Sequence, residues 1–238
     1  MIDAALIWSY LTQGSLIWLT ATILAFVAGD WCFRRTGRAP WANPVMLAIL
    51  IIGALLLGTG TPYTTYFEGA QFVHFLLGPA TVCLALPLYL NLGHVRRAAL
   101  PMIAALLAGS ATAVVSALAI AWAMGVRGGV LASLAPKSAT APVAIGISQQ
   151  LGGEPTLTAA LVLLTGIIGA IAVTPMLNAL GLTDWRARGF ATGVAAHGVG
   201  TARALQVNET AGAFAGIGMA LNAVLTGILA PLVLHLFQ

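Results

Sequence analysis

Apolar runs of helix-spanning length, interrupted by a few short arginine-bearing gaps, fill almost all of this 238-residue chain. Hydrophobic residues make up 60% of it and charged residues only 7%. An ordinary soluble domain is about a quarter charged. So few charges cannot cover a water-facing surface, and so much apolar side chain excludes disorder. The solvent such a chain calls for is lipid. One helical crossing takes about 20 apolar residues, so the length allows at most about eight crossings in a single membrane domain.

The basic residues set the orientation. The formal net charge is +4, but seven of the ten basic side chains sit in three short loops, at Arg34, Arg35 and Arg38, at Arg96 and Arg97, and at Arg186 and Arg188. Arginine in short loops marks the cytoplasmic face. This is the charge pattern of a membrane protein and not a nucleic-acid footprint. The chain reads as apolar spans over residues 4–29, 43–60, 72–92, 98–124, 157–180 and 211–237, with an aromatic outer loop at 61–71. The first span lacks a basic leader and a small-residue cleavage pattern, so it is expected to stay as a helix with its N-terminus outside. Gly78-Pro79-Ala80-Thr81 and Pro87 predict a kink in the third span. Cys32 and Cys83 have no metal or redox spacing and read as small apolar fillers.

Parity then constrains two weaker stretches. The span 98–124 ends outside, and the span 157–180 ends inside at Arg186–Arg188, so it must also start outside. The stretch 130–154, broken by Pro136 and Pro142, therefore begins and ends on one face, as a re-entrant hairpin does. The stretch 189–208 is rich in Gly, Ala and Thr and follows the inner arginine loop, which suggests a second hairpin from the opposite side. Full crossing by both stretches is the alternative. The expected fold is an all-α polytopic membrane protein of about six transmembrane helices with two opposed hairpins, like an inverted-repeat transporter. Residues 1–97 would serve as scaffold and 98–238 as core. Irregular backbone at membrane depth is tolerated only inside protein or along a wet cavity.

The polar residues of those stretches are the candidate site. Lys137, the only lysine, with Ser138 and Thr140 between the two prolines, can meet a carboxylate with charge and hydroxyls. The bland alternative has Lys137 snorkelling to the headgroups. In the second stretch Gly198, Gly200 and Thr201 allow close backbone approach, His197 can carry a proton and Arg203 suits a two-pronged carboxylate contact. Helix packing with His197 on a carbonyl, and Arg203 at the inner interface, is the competing reading. Asn222 is either an interhelical bond or a wall of the site. Gly152-Gly153-Glu154-Pro155 reads as the outer turn of the hairpin, and Gly166 with Gly169 as a packing face. His74, His94, His197 and His235 are scattered without metal spacing, and no nucleophile elbow or paired acids occur, so no enzyme, metal or cofactor is expected.

Pro136-Lys137-Ser138-x-Thr140-x-Pro142, Gly152-Gly153-x-Pro155-x-Leu157-Thr158-Ala159, Thr165-Gly166-Ile167-x-Gly169-Ala170 and Ala196-His197-Gly198-x-Gly200-Thr201-Ala202-Arg203-Ala204 together strongly resemble the LrgB family. Gly78-Pro79-Ala80-Thr81 and Gly212-Ala213-Phe214 fit as well. Ala139 and Ala141 depart from the family's Val and Thr, which removes one hydroxyl from the first hairpin. The resemblance implies a multi-pass bacterial inner-membrane protein with a smaller LrgA-like partner. It implies one of two functions: antiholin-like control of murein hydrolases and autolysis, or transport of small monocarboxylates such as glycolate, glycerate and pyruvate. Opposed hairpins holding Lys137, His197 and Arg203 favour a transporter, expected to be proton- or ion-coupled and to form at least a homodimer.

Overall fold

The computed structural model describes residues 15–76 and 98–237, with isolated positions 79, 82, 89, 93 and 96 between them. The start of the first span, most of the third span with its expected kink, and Cys83 lie outside the described residues. Two compact units are present, Met1–Cys83 and Leu84–Gln238. Every regular element among the described residues is helical.

In the first unit, α1 (Ser15–Arg35) ends in Arg34 and Arg35, where cations meet the negative end of the helix dipole. Arg34 also pairs with Asp30 at 2.7 Å. The next long element, α2 (Pro44–Thr59), has a complete pair of caps. The Asn43 side chain accepts from the amides of Val45 and Met46, Pro44 occupies the first turn, and Gly60 closes the helix at φ 65°. The two helices touch at Gly29, where a Cβ would lie 2.7 Å from the Pro44 carbonyl oxygen.

The segment 61–71 was expected as a loop; it belongs largely to a helix, α3 (Tyr63–Phe75). The reason is tertiary. Tyr66 sets its ring edge-on against Trp18 of α1 and its hydroxyl 3.1 Å from that of Thr22. Tyr63 and Phe67, one turn apart, stack at 5.8 Å.

The second unit is built on three long helices, α4 (Ala99–Ala123), α7 (Pro155–Ala179) and α9 (Glu209–Leu234). All three are long and apolar enough to cross a membrane, as is Leu16–Arg35, whereas Pro44–Thr59 is a shorter apolar helix. The bounds of α4, α7 and α9 fall within three residues of the spans read from sequence, whereas α1 runs six residues past the expected end at 29. Between α4 and α7 the chain forms α5 (Gly129–Leu134) and α6 (Ala141–Gln150), of 6 and 10 residues. At 1.5 Å per residue these reach about 9 and 15 Å, too short to cross about 30 Å of hydrocarbon. Their outer ends are tied together: the Glu154 amide donates to Ser133 Oγ at 2.7 Å, and a Cβ on Gly129 would lie 3.1 Å from the Gly152 carbonyl oxygen. The stretch 130–154 therefore starts and ends at one place.

The same holds for α8 (Trp185–Val207). Its backbone leaves helical geometry at Ala196 and His197, and a Cβ on Gly200 would lie 3.1 Å from Thr192 on the other arm. Trp185 and Arg188 line one small cavity with Arg203 and Val207. In a straight helix Trp185 and Val207 would be about 33 Å apart. The chain folds back on itself at residues 196–197.

The core shows how the two hairpins are placed. Val114 and Leu118 of α4 pack with Leu131 of the first hairpin and with Ala230 and Leu234 of α9. Met102 and Leu106 of α4 pack with Phe190 and Val194 of the second hairpin and with Phe214 and Ile217 of α9. The hairpins thus sit against opposite ends of the α4–α9 pair. Gly189 and Gly193 bring the second hairpin into backbone contact with Ala211 and Ala215 of α9, where no Cβ would fit.

Candidate functional site: two hairpin tips against one helix

The tip of the first hairpin is the turn 135–140. The Lys137 amide donates to the Leu134 carbonyl and the Ala139 amide to that of Pro136. Pro142 then helps start α6 behind the extended Thr140, whose hydroxyl makes no cap. Lys137 is half-buried, and Nζ donates to Ser138 Oγ at 3.2 Å. Ser138 is buried, and its carbonyl accepts from Asn222 Nδ2 at 2.9 Å. Asn222 Oδ1 in turn accepts from Ser110 Oγ at 2.6 Å and more weakly from Thr226 at 3.4 Å. A buried polar chain thus runs from α4 through α9 to the tip. Asn222 is an interhelical bond, with both ends of its amide used.

The tip of the second hairpin is the break itself. His197 has φ 40° and ψ −135°, a backbone that side-chain-bearing residues rarely adopt. Three contacts from α7 and the following arm hold it. Nε2 donates to the Val162 carbonyl at 2.8 Å. The ring lies where Gly166 has no side chain, since a Cβ there would be 2.6 Å from Cε1. Thr201 Oγ1 donates to the His197 carbonyl at 2.8 Å. Ala196 occupies the matching gap at Gly169. At Gly198 a Cβ would meet only Met219 Sδ, at 3.9 Å, so space remains there.

Val162 joins the two tips. Its carbonyl takes the His197 ring, and its side chain packs with Ala139 and Ala144 of the first hairpin. Lys137, Ser138, Thr140, His197, Gly198, Gly200, Thr201 and Asn222 therefore fall around one region, at mid-height of α7.

Arg203 does not share that placement. It follows the break by about 9 Å of helix and lines a small cavity at the base of the hairpin, with Arg188, Thr192 and Trp185. Arg188, read from sequence as a loop charge, is also buried there. It donates to Asn178 Oδ1 at 2.8 Å and to the Leu182 carbonyl at 2.7 Å, and lies over the Trp185 ring. Arg186 alone behaves as a surface charge, forked onto Asp184. That fork is the main reason the Asp184 carboxyl is held down at about 2.

Sequence reasoning missed Ser110 and Val162. One is a serine in an apolar run and the other contributes a carbonyl, so neither carries a local signal. Among the described residues no group of His, Cys, Asp and Glu could hold a metal.

No solved structure matches the chain. Among curated proteins it is 34% identical to the uncharacterized protein YxaC of Bacillus subtilis, over 94% of this chain and 97% of that one. It is 35% identical to the holin-like protein CidB of Staphylococcus epidermidis, over 83% of this chain and 86% of CidB. YwbG of Bacillus subtilis, also uncharacterized, is 31% identical over 91% and 96% of the two chains. The apolar helices and these bacterial relatives identify a bacterial membrane protein. Residues 22–236 match the LrgB-like family, and the chain belongs to it.

Proposed function

We propose that this protein carries small monocarboxylates across the membrane by alternating access, with the substrate held between the two hairpin tips. One observation carries the reading. Two interrupted helices lie against opposite ends of α4 and α9, and their tips converge on Val162, beside the lysine. Discontinuous helices of this kind bind solutes near the midplane in secondary transporters.

The chemistry follows from the parts. The helix starting at Ala141 and the arm starting at Gly198 each begin at a tip, and a helix N-terminus presents unpaired amides and partial positive charge. Lys137 adds a full charge. A carboxylate is small enough for the space at Gly198 and neutralises that lysine. With Nε2–H fixed on Val162, the His197 ring has Nδ1 left to take or release a proton, which suits coupling to a proton gradient. The lipid-exposed apolar faces of residues 15–76 suit a scaffold and a homodimer. An LrgA-like protein is the expected partner, and the N-terminus lies outside by the arginine rule.

The CidB relatives are named holin-like, which favours a second reading; in it this protein acts antiholin-like, modulating murein hydrolase activity and autolysis with an LrgA-like partner. Purified protein in liposomes separates the two. Transport gives saturable, stereoselective uptake of glycolate or pyruvate. Leakage of unrelated solutes without saturation establishes the holin-like reading instead.

A further inference from the structure

The second unit contains a cavity of about 680 Å³ between α4 and the first arm of α8. Its walls are two facing rows of small residues, Ala105, Gly109 and Ala113 on one side and Ala187, Ala191 and Ala195 on the other. Rows of small residues at a spacing of four ordinarily let two helices close on each other. Here they border the cavity, which narrows at Gly109, where a Cβ would stand 3.2 Å from the Val194 side chain.

One end of the cavity is charged, and the other lies beside the break in α8. The mouth carries the half-exposed Asp184–Arg186 pair. On α8 the lining ends at Ala195, the residue before the break at Ala196–His197, and on α4 it runs past Gly109, the residue before Ser110 of the polar chain, to Ala113. From Ala187 to Ala195 the wall climbs about 12 Å. A lipid tail entering here would bring its terminal methyl to the interrupted backbone, the worst place for it. Water and a small carboxylate match both ends. Between the two ends the lining is apolar, with Met102, Phe190, Val194 and Phe214 beside the small residues, and offers no site at which an anion would stop on the way.

We infer that this cavity is the water-filled route between the arginine-bearing face and the hairpin tips. The inference rests on the transport reading and names the path that reading requires. It makes Ala191 and Ala195 path-lining residues.

The test uses the full chain with Cys32 and Cys83 replaced by alanine, and adds Ala191→Cys or Ala195→Cys. Each adds one atom to a cavity wall, so packing is kept. Leu107→Cys, on the exposed apolar face of α4, is the lipid-side reference. The probe is methanethiosulfonate ethylsulfonate, anionic and membrane-impermeant, applied to vesicles from either side. Both cavity cysteines should react from the arginine side only, Leu107→Cys should not react, and modification of Ala195→Cys should abolish pyruvate or glycolate flux. Reaction of Ala195→Cys with lipid-soluble N-ethylmaleimide alone would show a lipid-filled groove and overturn the route, even with parental flux intact. If the cysteine-free parent carries no saturable flux, the transport reading falls, whatever the cysteines show, and the route falls with it.

Discussion

Asn222 on the last helix holds the carbonyl of Ser138, 84 residues earlier in the chain, at 2.9 Å. Ser110 completes the bridge from the other side. Replacing Asn222 with leucine strands a buried hydroxyl and a buried carbonyl at once. Each stranded group costs about 1–3 kcal/mol. Thermal unfolding in detergent should register the loss, and Ser110→Ala should cost less, since it strands only one acceptor. Equal melting temperatures for wild type and Asn222→Leu would refute the bridge.

Lys137 carries the proposed site. A lysine at membrane depth costs roughly 2.5–3.5 kcal/mol on insertion scales. Lys137→Met should therefore leave the melting temperature unchanged or raised while abolishing saturable uptake. Normal transport by Lys137→Met would mean the lysine does not hold the anion.

His197 separates backbone strain from side-chain chemistry. At φ 40° glycine is at ease and alanine is not. Both substitutions lose the bond to Val162, but His197→Ala keeps the strain, of about 1–3 kcal/mol, that His197→Gly relieves. His197→Gly should thus be the more stable of the two by thermal melt. Both should lose any dependence of flux on pH near neutrality.

Two glycines should respond in opposite ways. Gly166→Ala drives a methyl into the His197 ring, an overpacking that costs about 1–3 kcal/mol. Gly198→Ala meets only the end of Met219, so it should fold normally. If substrate uses that space, KM for uptake rises. Kinetics and melting curves of the pair decide this.

Asp184 caps α8 and takes the Arg186 fork. Its folded-state carboxyl, at about 2, lies below the ordinary 3.8. A depressed value means that the cap's contribution is complete above 3.8 and fades as pH falls through about 2. Asp184→Asn should therefore flatten the acid limb of the stability profile in that window, lowering stability slightly at neutral pH, since the pair is exposed, and leaving it nearly unchanged below about pH 2.

The hairpins were readable because prolines and arginine parity are local signals. Pro142 announces the start of α6, and Arg186 is the signal from which the inward end of α7 is expected. The partners of the tips were not readable, because they come from far along the chain. Ser110 reaches Asn222 across 112 positions, and Val162 reaches His197 across 35. Arg203 was grouped with His197 because only six residues separate them. The return arm carries it to the base of the hairpin instead. The helix α3 formed against expectation because Trp18 and Thr22 supply partners that no reading of 61–71 contains.

Gly189 and Gly193 press the second hairpin onto Ala211 and Ala215 so closely that backbone meets backbone. That arrangement sets an order of assembly. The hairpin is weakly hydrophobic, and the helix it touches backbone to backbone, α9, leaves the ribosome after it. Until that helix inserts, α7 already holds the tip through Val162, but Gly189 and Gly193 still lack the backbone they are shaped to meet. A chain cut before Glu209 should therefore be cleared by membrane proteases rather than persist as a shorter membrane protein.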